Sequence, residues 1–356
     1  MRVVFRVDAS LEMGIGHVMR CLSLALELKN HGANVEFICR KHKGNLIHNI
    51  RSNGFSVFEL ELPRVKQSDN SLSHGDWLGA TQYQDASECM KKLKTSKVDW
   101  LIVDHYAIDQ HWQQSLKAYY CKLLVIDDLS DRRHDCDIFL DQNFGRKEQD
   151  YKRLLPKSCE ILLGSKYALL REEFAKWRKY SLERRKNPAM KKILVSMGGV
   201  DAENITGQVL EELSLCKLPE DIFVTIVMGG TAPHLENIRQ MVNNLPYKAE
   251  LKVNIDNMAE IMANVDLAIG ATGSTTWERC CLGLPTIQIV IAKNQNIIAE
   301  LLVRKNAIKL IKEVEELSSI LISVNSWMKD ISDIARDISD GLGSKRVANI
   351  LMQKRI

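Results

Sequence analysis

The chain has 356 residues, 45% of them hydrophobic and 26% charged, enough to bury a large core and long enough for two domains. A formal net charge of +4 with both signs interspersed argues against a nucleic-acid or polyanion binder, while leaving room for a bound anionic nucleotide. Nine cysteines, none in a C-x-x-C pair or in zinc-finger spacing with histidine, read as reduced core residues rather than a disulfide framework or a zinc site.

In chain order, an apolar run at 3–7 predicts a strand, 17–30 a helix and 35–40 a second strand. Arg6 and Asp8 interrupt the first run, which therefore does not read as a signal peptide. Further strands are predicted at 100–104, 123–126 and 138–141, each separated from the next by helical or turn-rich sequence. Buried strands alternating with amphipathic segments predict a parallel sheet covered by helices. The stretch 171–190 is dense in charge, contains Asn187-Pro188 and reads as a linker between a first domain, 1–170, and a second, 191–325. In the second domain strands are predicted at 192–196, 223–228, 252–254, 267–269 and 286–291, with a helix at 258–264. From about 314 the sequence is helical, broken at Gly341 and Gly343, and periodicity does not decide whether the last segment, 326–356, packs back on the first domain. The longest apolar runs, such as 282–292, fall short of the ~20 residues of a membrane span, so the expectation is a cytoplasmic monomer.

Two doubly wound α/β domains in series imply a cleft faced by the loops at the carboxyl ends of the strands. The first such loop carries Gly14-Ile15-Gly16-His17 and then Arg20. Gly14 and Gly16 begin the dinucleotide fingerprint G-x-G-x-x-G, but Met19 stands where the third glycine belongs, so a nicotinamide or flavin site is not expected. His17, in the first turn of a helix, is instead placed to act as a general base, with local capping as the plain alternative. Asp104, His105 and Tyr106 follow a buried strand, where such sheets put functional side chains, although Asp104 could merely cap and Tyr106 merely pack.

The second domain offers two glycine-rich junctions, Gly198-Gly199 and Gly273-Ser274-Thr275, the latter with hydroxyls at a helix start and with Glu278 one turn further on. Together these make a nucleoside diphosphate site the economical reading. Asn294 and Gln295, past a strand end, form an amide pair able to grip sugar hydroxyls or acetamido groups. Asp135-Cys136-Asp137 matches the D-x-D pattern that holds a divalent cation, but sits in a charged turn and reads as solvated. No metal or cofactor is expected.

The segments Arg6-Val7-Asp8, 14–22, 103–106 and 167–174 resemble, in order, those of the UDP-sugar hydrolases of pseudaminic acid biosynthesis. So do Met197-Gly198-Gly199, 270–283 and Asn294-Gln295, which extends the likeness over nearly the whole chain. The resemblance implies a GT-B fold related to the MurG glycosyltransferase. It also implies release of UDP from UDP-2,4-diacetamido-2,4,6-trideoxy-β-L-altropyranose, with inversion, by water. By matching motif, His17 would be the base, Tyr106 and Asn294 would line the sugar site, supported by Gly14, Gly16, Arg20, Asp104, His105 and Gln295. Gly198, Gly199, Met258, Gly273, Ser274, Thr275 and Glu278 would hold UDP. The stretch 63–76 departs from the pattern. The rival readings are a transferase passing the sugar to an acceptor other than water, and a nucleotide-sugar binder without turnover.

Overall fold

The computed structural model describes residues 1–63, 72–291 and 295–354, and the chain forms two units: Met1–Leu169 with Gly343–Ile356, and Leu170–Leu342. The first holds strands β1 (Arg2–Val7), β2 (Asn34–Arg40), β3 (Ser56–Leu60), β4 (Val98–Asp104), β5 (Tyr120–Ile126), β6 (Ile138–Asp141) and β7 (Glu160–Leu163). Its helices are α1 (Gly16–Asn30), α2 (Ile47–Ser52), α3 (Gln82–Leu93) and α4 (Gln110–Ser115). All its strand pairs are parallel, in the order β3-β2-β1-β4-β5-β6-β7. Successive side chains of a strand point to opposite faces, and here both faces are covered. Val3, Phe5 and Val7 of β1 pack with Val18, Cys21 and Leu24 of α1, while Val4 packs on the opposite face with Leu101, Val103 and Ala86. Arg6 is the exception on that second face, a buried cation paired with Asp8 and Asp85 at 2.7 Å each.

The second unit begins with α5 (Glu172–Arg184), so the charged stretch expected as a linker is largely helix. Arg185, just past its end, donates to the carbonyls of Met262 and Val265 and ties the helix to the rest of this unit. Then come β8 (Lys192–Ser196), α6 (Ile205–Leu215), β9 (Phe223–Met228), α7 (Leu235–Asn243), β10 (Lys248–Val253) and α8 (Met258–Asn264). After these stand β11 (Leu267–Ala271), α9 (Thr275–Cys281), β12 (Thr286–Ile289), α10 (Asn296–Arg304), β13 (Lys309–Ile311), α11 (Leu317–Ile322) and α12 (Val324–Ala335). Six parallel strands run in the order β10-β9-β8-β11-β12-β13. At the centre β11 lies so close that a Cβ on Gly270 would sit 2.7 Å from the Ser196 carbonyl and 2.6 Å from Arg279 Nη1, which only glycine avoids. Gly341, at φ +80°, stops the chain after α12, and α13 (Gly343–Gln353) rejoins the first unit, where Val347, Ala348 and Leu351 enter the core beside α1. Among the described residues no helix is long and apolar enough to cross a membrane.

Both sheets reverse their order at a single point, beside β1 and β4 in one and beside β8 and β11 in the other. Loops leaving the carboxyl ends of those strands part in opposite directions there and leave a crevice for a ligand. The sequence puts its glycine-rich junctions and its histidine at these two points. The short strands β3, β7 and β13, absent from the sequence reading, lie at or next to sheet edges, where partial exposure weakens the apolar signal.

Candidate active site

In the first unit the loop after β1 folds on itself, with Gly14 N–H donating to the Ser10 carbonyl at 2.9 Å and Gly14 at φ +73°. Gly16 then opens α1, whose N-terminus receives no side-chain cap. His17, Arg20 and Cys21 stand at i, i+3 and i+4 and so share one face of the helix. That face meets Asp104, the last residue of β4. His17 Nδ1 lies 2.6 Å from Asp104 Oδ1, while Arg20 donates to the same carboxylate through Nε at 2.6 Å and Nη2 at 2.7 Å. Cys21 Sγ adds a contact at 3.4 Å.

Asp104 is wholly buried. Burial pushes its carboxyl up, but the Arg20 guanidinium and the His17 ring outweigh that and hold it well below the usual carboxylate range. A carboxylate only accepts, so the 2.6 Å contact puts the proton on Nδ1, while Arg20 Nη2, 3.2 Å from that nitrogen, spends its donor on Asp104 Oδ1 at 2.7 Å. In the neutral ring Nε2 then carries the lone pair, the form a general base requires.

Tyr106, two residues past Asp104, stands edge-on to the His17 ring with centroids 4.6 Å apart, and its hydroxyl donates to Asp128 Oδ1. Trp77, in a one-turn helix at Gly75–Leu78, stacks on Tyr106 at 5.7 Å, and His74 lies 4.4 Å from Trp77. Burial holds the His74 imidazole below its ordinary value. Trp77, His74 and Asp128 were missed by the sequence reading. Asp128 carried a signal, since it follows β5 as Asp104 ends β4, whereas Trp77 lies just past the stretch that departs from the family pattern.

His105, expected beside the sugar, is corrected. Trp100 and Ile102 of β4 point to the α1 face together with Asp104, so the pleat turns His105 to the opposite face, among Leu101 and Val103. There its side chain is fully buried, its Nδ1 accepts from Ala107 N–H at 3.1 Å and its Nε2 lies 3.3 Å from Asp8 Oδ2. Asp137 of the D-x-D pattern is also spoken for, because its Oδ2 accepts the Leu123 N–H at 2.8 Å.

In the second unit, Gly198 at φ +104° and Gly199 leave β8 beside the turn that leaves β11. The Gly199 carbonyl accepts the Gly229 N–H at 3.1 Å. Asp201 then caps α6 through the N–H groups of Ile205 and Thr206 at 3.0 and 2.9 Å. Gly273 and Ser274 are exposed, and a Cβ on Gly273 would meet nothing within 4 Å. Buried Arg279 stiffens this turn by donating to the Ala271 carbonyl at 2.7 Å and to Thr276 Oγ1 at 3.2 Å. Its Nη1 lies 3.3 Å from Thr275 Oγ1, so that hydroxyl accepts from the protein and keeps its proton and one lone pair for a ligand. Glu278 is half-buried, and burial pushes its carboxyl up to about 7 against the pull of Arg171 and Arg279. Met258 opens α8 and is half-buried. Gln295 Oε1 accepts the Ile291 N–H at 3.1 Å, and Asn294 lies outside the described residues.

The model of the glycosyltransferase family 28 C-terminal domain matches residues 192–339, which hold the second unit's sheet and its helices α6 to α12. Among solved structures, MurG of Acinetobacter baumannii superposes with a TM-score of 0.68 over 99% of both chains at 15% identity. A UDP-GlcNAc 2-epimerase from Neisseria meningitidis superposes with a TM-score of 0.62 over 99% of this chain and 100% of its own, at 14% identity. The chain has the GT-B fold. By sequence it is 31% identical over 291 residues to an uncharacterised protein of Methanocaldococcus jannaschii, a match covering 81% of this chain and 55% of that longer protein. It is also 29% identical over 306 residues to the UDP-2,4-diacetamido-2,4,6-trideoxy-beta-L-altropyranose hydrolase of Campylobacter jejuni, covering 86% of this chain and 97% of the hydrolase. The spore coat polysaccharide biosynthesis protein SpsG of Bacillus subtilis matches at 22% identity, covering 84% of this chain and 80% of its own.

Proposed function

We propose that this GT-B protein hydrolyses a UDP-linked 2,4-diacetamido-2,4,6-trideoxy sugar to UDP and the free sugar, as a step towards pseudaminic acid. The observation that carries the reading is the 2.6 Å contact of His17 Nδ1 with buried Asp104, which leaves Nε2 as a base. In the reaction a water oxygen attacks the anomeric carbon from the side opposite the leaving group, and one of its protons passes to His17 Nε2. The bond from that carbon to the diphosphate breaks, UDP departs with the electron pair, and the configuration inverts. Asp104 stabilises the imidazolium that forms, and Arg20 holds Asp104 in place. Tyr106 is assigned to the sugar, and so, from the sequence resemblance alone, are Asn294 and Gln295. The turns at Gly198-Gly199 and Gly273-Ser274-Thr275 take the diphosphate through backbone N–H groups, with Met258 and Glu278 on the nucleoside.

The near full-length likeness to the Campylobacter hydrolase favours water as the acceptor. The family 28 match favours a second reading, sugar transfer to another acceptor, because the same base would then deprotonate a hydroxyl. Incubation of purified protein with the UDP-diacetamido sugar and no acceptor separates the two. Hydrolysis gives equimolar UDP and free sugar, with the inverted anomer seen first by NMR. Release of UDP only after an acceptor is added would establish the transferase instead, and no release under either condition would leave a binder.

A further inference from the structure

Asp128 follows β5 and is used by neither step above, yet it touches two residues of the site. Its Oδ1 accepts the Tyr106 hydroxyl, and its Oδ2 faces Arg20 Nη1 at 3.5 Å. Its carbonyl accepts from Arg146 Nη2 at 2.6 Å, which anchors the backbone of this corner. The Tyr106 ring cannot swing its hydroxyl elsewhere, because His17 stands against it at 4.6 Å, Trp77 at 5.7 Å and the Arg132 guanidinium at 5.9 Å. A tyrosine hydroxyl has one proton and two lone pairs. Burial, and next the charge of Asp128, hold the phenol well above its ordinary value, so the proton stays on oxygen and stays committed.

We propose that Asp128 is a positioning residue that sets the polarity of the sugar site: by taking the Tyr106 proton it leaves the phenol oxygen to accept, so that Tyr106 selects a sugar bearing an N–H or O–H donor at that point. With the substrate class proposed above, on which this inference rests, the donor is an acetamido N–H. An ether, a ketone or a tertiary amide in its place meets lone pairs only and is rejected. Discrimination of this kind is strong, because the mismatch leaves a buried polar group unpaired.

The test has an arm without turnover and an arm with it. In protein labelled with 13C at tyrosine Cζ, the Tyr106 resonance, assigned by its loss in Tyr106→Phe, reports donation to a carboxylate. In Asp128→Asn, which keeps the shape, it moves upfield towards the value of a tyrosine bonded to a neutral partner. In the kinetic arm, Asp128→Asn and Tyr106→Phe each raise KM by about 10- to 100-fold, the cost of leaving the sugar's buried N–H without its acceptor, with a smaller change in kcat. The double variant is no worse than Tyr106→Phe alone, because Asp128 then has no hydroxyl to orient. An unmoved resonance overturns the proposal. So does an Asp128→Asn penalty that persists at full size in the Tyr106→Phe background, which would route its effect through Arg20. If the wild type releases no UDP from the diacetamido sugar, the hydrolase reading falls, and the resonance comparison still decides the polarity.

Discussion

Replacing Asp104 by asparagine is the sharpest probe of the proposed mechanism, because one carboxylate there meets three strong donors. His17 Nδ1, Arg20 Nε and Arg20 Nη2 all lie within 2.7 Å of it, in a fully buried position. An amide of the same shape has one acceptor oxygen and one donor NH2. With the oxygen in the Oδ2 position, facing Arg20 Nε, the NH2 takes the Oδ1 position, where it opposes Arg20 Nη2, donates to His17 Nδ1 and stabilises the tautomer protonated at Nε2, which removes the base. The loss is that of general base catalysis, about 10²- to 10⁴-fold in kcat, or about 3–5 kcal/mol in the barrier. Folding suffers separately. Arg20 loses its charged partner and keeps only Asp128 at 3.5 Å, a cost of about 3 kcal/mol, at the low end for a broken buried pair. UDP binding, assigned to the second unit, is unaffected. Stopped UDP release gives kcat, calorimetry gives the UDP affinity and thermal unfolding confirms a folded variant. A folded Asp104→Asn protein that turns over within about twofold of wild type would refute the dyad.

His17→Ala lowers turnover by about 10²- to 10⁴-fold with UDP affinity unchanged, and equal UDP release by variant and wild type would take the base role away from His17. For Glu278, whose carboxyl rises from an ordinary 4.5 to about 7, the folded protein holds a proton that the unfolded chain has lost between those values, so stability falls as pH rises through that window. At about 1.4 kcal/mol per unit the penalty is about 3 kcal/mol, so Glu278→Gln raises the unfolding temperature at pH 8 but not at pH 4. The same variant abolishes the component of UDP affinity that strengthens as pH rises through 7, read by calorimetry across that range. Gly229→Ala would set a Cβ 2.2 Å from the Gly199 carbonyl, an overpacking cost of about 1–3 kcal/mol, and pushes the Gly198-Gly199 turn out of place. UDP binding weakens accordingly, and undiminished affinity in a destabilised variant would remove that turn from the nucleotide site.

The central strands were legible because they are apolar on both faces: the expected 192–196 and 223–228 coincide with β8 and β9, and 100–104 lies within β4. His17 was likewise legible at the start of a helix, whereas the face it shares with Arg20 and Cys21 emerged only with their common partner, Asp104. The charged segment 171–190 misled because charge density marks exposure, not the absence of a helix. Within α5 only Phe174 and Ser181 are buried and hold it in place.

The sequence by itself determined two parallel sheets and the junctions at which each could bind a ligand, since apolar alternation and glycine placement are local properties of the chain. Tertiary structure alone decided that Asp104 rather than His105 meets His17, because the pleat sends neighbours to opposite faces and local pattern does not say which face the histidine's helix covers. It also brought Trp77 and Asp128 to Tyr106. Those contacts join segments more than twenty residues apart, and their pairing follows from how buried charges and rings find partners once the sheet has formed.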